Sequence, residues 1–270
     1  MVKVLFSILL IFSTVAANEL TDKVRNMIGN HTYLVQKKLI NILFKDQNSY
    51  YKNGKLDIVK ITAKLKQNGL LNFYFKEPME MQIVFRTRGN PLLFLKIINE
   101  SLHDIGYGFF TTKRAKKVNE DFEWVISLKS ESAIDPEIFA KELEKRGTYI
   151  DDIYKKSLTQ WEYDIDIYNG ELISKKVAVG EKIRLTKPMD DYWLDISNSS
   201  SIDIKSNIHD IWHPYVVFYD SYLHMIGHVI KKEKSKEERL EIPQNTKYIK
   251  ISDFYSLSNI KRGLTIRLYP

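Results

Sequence analysis

Asn90-Pro91-Leu92-Leu93-Phe94-Leu95-Lys96-Ile97-Ile98-Asn99-Glu100-Ser101-Leu102-His103-Asp104-Ile105-Gly106 contains every part of one helix in order. Asn90 caps the start and Pro91 occupies the first helical position, where a missing N–H costs nothing. Leu93, Leu95, Ile98 and Leu102 give an apolar face, and Gly106 supplies the left-handed stop. The same order recurs on either side. Asp57 precedes a helix with Ile58, Ile61 and Leu65 that stops at Gly69, and Asp135-Pro136 precedes Ile138, Phe139 and Leu143, which run to Gly147. The closing glycines are 37 and 41 residues apart, a period that signals repeated supersecondary units.

After each glycine the pattern changes to period two. The expected strand pairs are Leu70–Lys76 with Met79–Thr87, Tyr107–Ala115 with Phe122–Lys129, and Thr148–Tyr154 with Trp161–Tyr168. Glu80 to Phe85 and Trp161 to Ile167 alternate apolar with polar, so one sheet face lies under helices and the other is wet. The region 55–170 is therefore read as three αββ units, which must associate into α+β layers or stack laterally to bury their helices. Upstream, 18–54 is read as a helical segment with an apolar stripe of Leu34, Val35, Leu39, Ile40, Leu43 and Phe44. Asn30 or Thr32 is expected to cap its second piece. The stripe is expected to pack on the domain that follows; the alternative is a membrane-surface helix carrying Lys37, Lys38 and Lys45.

Past the turn Tyr168-Asn169-Gly170-Glu171, helical periodicity fades. Strands are expected near 172–179, 182–186, 192–196, 201–205, 214–219, 222–231, 238–242, 247–252 and 263–269. The fold class is therefore α+β: an N-terminal helix, three αββ units, and an all-β, jelly-roll-like sandwich over 171–270. The runs Tyr192-Trp193-Leu194-Asp195, Tyr215 to Asp220, Glu241 to Ile251 and Gly263 to Leu268 resemble secreted pre-peptidase-type and galactose-binding-like β modules. That resemblance covers about the last 80 residues and implies binding of glycans or proteins. In its Lys-, Asn- and Tyr-rich style the whole chain resembles uncharacterised exported proteins of epsilon-class bacteria, which implies a periplasmic address.

The address also has its own signal. Lys3, the uncharged run Val4 to Val15, and the small residues Ala16 and Ala17 follow the order of a secretory leader, with cleavage expected after Ala17. The run is too short to span a bilayer as an anchor, and no later stretch reaches spanning length. The chain carries 41 Lys and Arg against 34 Asp and Glu; removal of 1–17 takes only Lys3, leaving a net +6. That charge is too diffuse to indicate nucleic acid and suits anionic surfaces. With no Cys in 270 residues, disulfide scaffolds are excluded.

Two clusters are candidates for chemistry. His209, His213, His224 and His228 form two pairs at i, i+4 spacing, which places imidazoles on one face and makes them candidate metal ligands. Pro214 opposes a helix there, and no Glu completes a metallopeptidase motif. Trp212, Tyr215, Tyr219 and Tyr222 are candidate ligand-binding aromatics, a stacking platform for sugar rings; Trp193 is expected to fill the core. Asp164 and Asp166 share a strand face, as any half-exposed strand allows. No phosphate loop, nucleophile elbow or cofactor motif is present, so no cofactor is called for. The expectation is a non-enzymatic binding or scaffold protein with an envelope protein partner or self-assembly. A carbohydrate-binding protein and a metal-dependent hydrolase using the histidines are the alternatives.

Overall fold

The computed structural model describes residues 19–196 and 199–270; the expected leader, 1–17, lies outside the described residues. The chain is mixed α and β, rich in strands, and divides into two compact units that meet at Glu171 and Leu172. No helix among the described residues is long and apolar enough to cross a membrane.

The first unit opens with α1 (19–28), α2 (Asn30–Val35) and α3 (Lys37–Leu43), then a 3₁₀ turn at Gln47–Tyr50 and the small hairpin β1 (Tyr51–Lys52) and β2 (Lys55–Leu56). Leu20, Val24, Tyr33, Ile40, Phe44 and Tyr50 are buried here. The expected stripe is only partly recovered. Ile40 and Phe44 turn inward, whereas Leu34 and Val35 stand 59% and 66% exposed, as does Ile42 outside the stripe at 72%. Neither Asn30 nor Thr32 caps: Gly29, at φ 85°, precedes α2 with no side-chain bond, because the left-handed break comes one residue before the polar pair.

The remainder runs α4 (Ile58–Gln67), β3 (Tyr74–Thr87), α5 (Pro91–Asp104), β4 (Thr111–Val118), β5 (Asp121–Ser132), α6 (Pro136–Glu144), β6 (Tyr149–Lys155) and β7 (Gln160–Asp166). The three caps read from sequence are made. Asp57 accepts from the Lys60 N–H, Asn90 from Leu92 and Leu93, and Asp135 from Glu137. Gly69, Gly106 and Gly147 all have positive φ, as a left-handed stop requires. On α5 the buried face is Leu93, Phe94, Ile97, Ile98 and Leu102, so Phe94 and Ile97 take the place expected for Leu95.

The strand pair expected after α4 is a single strand. Only Glu77-Pro78 separates its halves, a dipeptide without the positive-φ residue a tight hairpin needs; Pro78 instead falls in an irregularity where the pairing jumps from Tyr74–Ser132 to Met79–Ser130. The helix-led segments are thus αβ, αββ and αββ. Their strands form one sheet in the order β4-β5-β3-β7-β6, antiparallel except for the central β3–β7 pair. Met81, Ile83 and Phe85 of β3, Trp124, Ile126 and Leu128 of β5, and Trp161, Tyr163 and Ile165 of β7 form the buried face. Phe139 of α6 sits 5.8 Å from both Phe85 and Tyr163. Arg146, 3% exposed, joins the helices from beneath: Nη2 is 2.6 Å from Asp104 on α5, and Nη1 donates to the Glu142 carbonyl of α6 at 3.2 Å.

In the second unit, all nine expected strand runs contain a strand: β8 (Lys175–Val177), β9 (Lys182–Arg184), β10 (Tyr192–Ile196), β11 (Ser201–Ser206), β12 (Pro214–Tyr219), β13 (Met225–Ile230), β14 (Glu237–Glu241), β15 (Tyr248–Asp253) and β16 (Leu264–Tyr269). They form two sheets, β13-β12-β15-β10-β8 and β14-β11-β16-β9. Leu194, Val216, Phe218, Ile249 and Ile251 of the first meet Ile202, Ile204, Leu240, Ile266 and Leu268 of the second in one core.

Candidate binding surfaces

Strand β4 reads Thr-Thr-Lys-Arg-Ala-Lys-Lys-Val, and every one of its 8 residues is exposed. It is the outer strand beside β5, so one row of its backbone N–H and C=O groups has no strand partner in the sheet. Trp124 anchors it from below. Its indole N–H donates to Thr112 Oγ1 at 3.1 Å, and the Phe110 ring packs edge-on against it at 5.5 Å. The pairing shifts between Thr112 and Arg114, which places Lys113 in a bulge. Next to the strand, Phe109 is 96% exposed. The opposite outer strand, β6, is treated differently. Lys23 of α1 pairs with Asp152, Lys55 of β2 reaches Asp151 at 3.0 Å, and the strand has its own register shift after Ile150.

A ladder of charges crosses the wet face between these edges. Glu123, with its side chain 8% exposed, accepts from Arg114 Nε and from Arg86 Nε, each at 3.1 Å. Arg86 Nη1 in turn donates to Glu162 at 2.8 Å. Burial pulls the Glu123 carboxyl up, but the two guanidiniums prevail and hold it below the ordinary carboxylate range. Asp164 goes the other way. Burial and the nearby Asp152, Asp121 and Glu162 raise it against the pull of Arg86, whose Nη1 is 3.7 Å away.

Asp164 lines a cleft of about 560 Å³ together with Lys55, Arg88, Asp121 and Asp151. Most of its charges are already answered: Lys55 by Asp151, and Arg88 by Asp121 at 3.1 Å. Asp166, which shares the strand face of Asp164, is exposed and accepts the Tyr168 N–H at 2.8 Å, a turn contact. A second hollow of about 740 Å³ lies between β2, α4, α6 and β6.

The four histidines do not gather. His209 is in the exposed loop after β11, and His213 enters β12 with its N–H on Asp253 at 2.7 Å. His224 lies past the other end of β12, its ring 3.0 Å from Asp220, and His228 sits on β13 opposite Val217. The 6 residues of β12 alone hold His213 and His224 about 20 Å apart. Among the described residues, no three His, Cys, Asp or Glu side chains are placed to hold a metal ion.

The aromatic platform is rearranged as well. Trp212 is 0% exposed and its indole N–H donates to the Ser252 carbonyl at 2.9 Å, so it is core. Trp193, expected inside, is on the outer face of its sheet, 5.3 Å from the ring of Tyr219. Tyr215 is on that face too, with Lys250 Nζ 5.0 Å over its ring, whereas Tyr222 sits in the β12–β13 turn, 56% exposed. Strand parity was the available signal. With Val216 and Phe218 inward, Trp212 points inward too, and with Leu194 and Ile196 inward, Trp193 points out. The β4 edge and the Arg86–Glu123 ladder had no such signal, because they depend on which strands become neighbours.

The chain matches no family model and no curated protein.

Proposed function

We propose that this chain is an exported, non-enzymatic binding or scaffold component of the bacterial envelope that works through protein–protein contacts, with β4 as the binding edge. The observation that carries this is a full-length outer strand, exposed at all 8 residues, bearing Lys113, Arg114, Lys116 and Lys117. An extended segment that pairs with such an edge gains main-chain hydrogen bonds, and its side chains set the specificity. Two copies meeting β4 to β4 would oppose cations to cations, so the charge favours a different, acidic chain over self-assembly. With this reading we take the three helix-led segments as variants of one building block and the second unit as a jelly-roll-like sandwich. The support is the shared cap-to-glycine grammar and the two sheets around one core.

The test is co-purification from the native envelope fraction with three forms of the chain: wild type, Lys113→Glu/Lys116→Glu, and Ala115→Pro. A partner retained by wild type and lost from both variants, with unchanged circular dichroism, supports the proposal. A protein that stays monomeric and partnerless and turns over a cell-wall substrate refutes it.

Carbohydrate binding is the second reading, resting on the Trp193, Tyr219 and Tyr215 strip with Lys250. It predicts that saccharides quench Trp fluorescence in wild type and not in Trp193→Ala.

A further inference from the structure

Two loops at the end of the second unit where β12 begins and β15 finishes, β11–β12 and β15–β16, carry a concentration of exposed apolar side chains. Ile208 is 78% exposed, Ile211 55%, Tyr255 60% and Phe254 37%. Large side chains on loop tips that face water normally mark a contact surface. These loops are also held firmly. The buried carboxylate of Asp253 accepts from the backbone N–H groups of His213, Tyr255 and Ser256, at 2.7, 2.9 and 2.9 Å, and from Asn259 Nδ2 at 3.0 Å. Burial pulls this carboxyl up, yet the four donors hold it below its usual range, so the anion that organises the loops stays charged. The Ile211 N–H donates to the Asn259 carbonyl at 3.1 Å, the Phe254 N–H to the His213 carbonyl at 2.9 Å, and Lys236 Nζ to the Ile208 carbonyl at 2.7 Å. The His213 and Tyr255 rings meet edge-on at 4.8 Å, and the Phe254 and Tyr255 rings do so at the same distance.

Cations surround the apolar tips. Lys232 Nζ lies 5.9 Å over the Phe254 ring, and Lys232, Lys234 and Lys261 are all exposed. Of the acids nearby, Asp210 holds Arg262 at 2.6 Å, Glu238 of β14 holds Lys231 at 2.8 Å and Asp253 faces inward, while Glu233 is exposed between Lys232 and Lys234, so the three exposed lysines still outnumber it. The field presented outward is therefore positive around an apolar centre. That is the arrangement an anionic interface with an oily layer beneath it rewards, since binding there scales with inserted apolar area plus attraction of Lys and Arg to acidic headgroups.

We propose that the loops bearing Ile208, Ile211, Phe254 and Tyr255 dock the second unit onto an anionic phospholipid surface, the apolar tips entering the headgroup layer and Lys232, Lys234 and Lys261 contacting the phosphates. This is independent of the β4 edge, so either proposal can fail alone.

The chain has no Cys, so one introduced thiol can be labelled without ambiguity. In the full chain, Ile211→Cys and, separately, Tyr255→Cys are labelled with an environment-sensitive fluorophore. Vesicles of phosphatidylcholine alone, or of equal parts phosphatidylcholine and phosphatidylglycerol, are then added. The expected result is a blue shift at both positions with the mixed vesicles. The apparent affinity should fall about tenfold or more on Lys232→Glu/Lys234→Glu. Val35→Cys on α2 is the internal control, because Leu34, Val35 and Ile42 are also exposed apolar side chains. A shift at position 35 with none at 211 or 255 overturns the assignment. So does an equal shift with phosphatidylcholine alone, or one that appears only when envelope proteins replace vesicles. Both labelled positions are exposed, and circular dichroism of each labelled variant confirms the fold.

Discussion

Replacing Glu123 by Gln keeps the shape of the side chain and removes the anion between Arg86 and Arg114. In the wild type this carboxylate is 8% exposed and accepts from both guanidiniums. A hydrogen bond to a charged group contributes about 1.5–3 kcal/mol net. Two features reduce the loss: Arg114 is 49% exposed, so water replaces much of its share, and Arg86 keeps Glu162. The expected cost is about 2 kcal/mol, with one Gln oxygen still accepting. In a unit of this size that lowers the melting temperature by about 4–8 °C. The pH dependence fixes the cause. A carboxyl whose folded pKa is depressed contributes stability above its unfolded pKa and loses it as pH falls through the folded one. The difference between wild type and Glu123→Gln should thus be full at neutral pH and close below the ordinary carboxylate range. Differential scanning calorimetry at stepped pH reads both. A cost under about 0.5 kcal/mol at neutral pH, or one that persists unchanged in acid, refutes the ladder as a stabilising device.

Three other substitutions test separate features. Asp164→Asn should stabilise by about 0.5 kcal/mol at neutral pH, because it removes a partly buried charge facing three other acids. Its folded pKa is raised, so wild type recovers that deficit as pH falls through it, and stepped-pH melting should show the gain vanish. Trp212→Ala should cost the second unit about 3–5 kcal/mol, read by urea titration, since it empties a fully buried site and strands the Ser252 carbonyl; a saccharide-binding defect without loss of stability would contradict this. Gly263→Ala should destabilise the same unit by more than about 2 kcal/mol, because φ is 83° and the new Cβ would lie 1.9 Å from the Leu185 carbonyl oxygen.

Local grammar was legible in the sequence where a few adjacent residues decide the outcome. Asp57, Asn90-Pro91 and Asp135-Pro136 start their helices as read, and the nine β runs of the second unit recover nine strands, because caps, fixed φ values and period-two burial act within a turn or a strand. What depended on tertiary partners was not legible. Leu34 and Val35 carry the same apolar character as Ile40 and Phe44, and only the surrounding packing decides which turn inward. The merging of two expected strands across Glu77-Pro78 needed β5 as a template. The candidate sites divide in the same way. The histidine pairs have correct spacing but straddle β12, and parity, applied two residues ahead of β12, would have exchanged Trp212 for Trp193.

The parallel match of Gln82 with Gln160 at the centre of the first unit's sheet also governs the order of assembly. The earliest long strand to be synthesised takes its inner neighbour from the last, while the hairpins β4–β5 and β6–β7 close locally. Loop-closure entropy delays such a distant match. A nascent polypeptide therefore holds β3 with one flank vacant until Gln160 to Asp166 emerges, and that interval is when a holding chaperone has the most to protect.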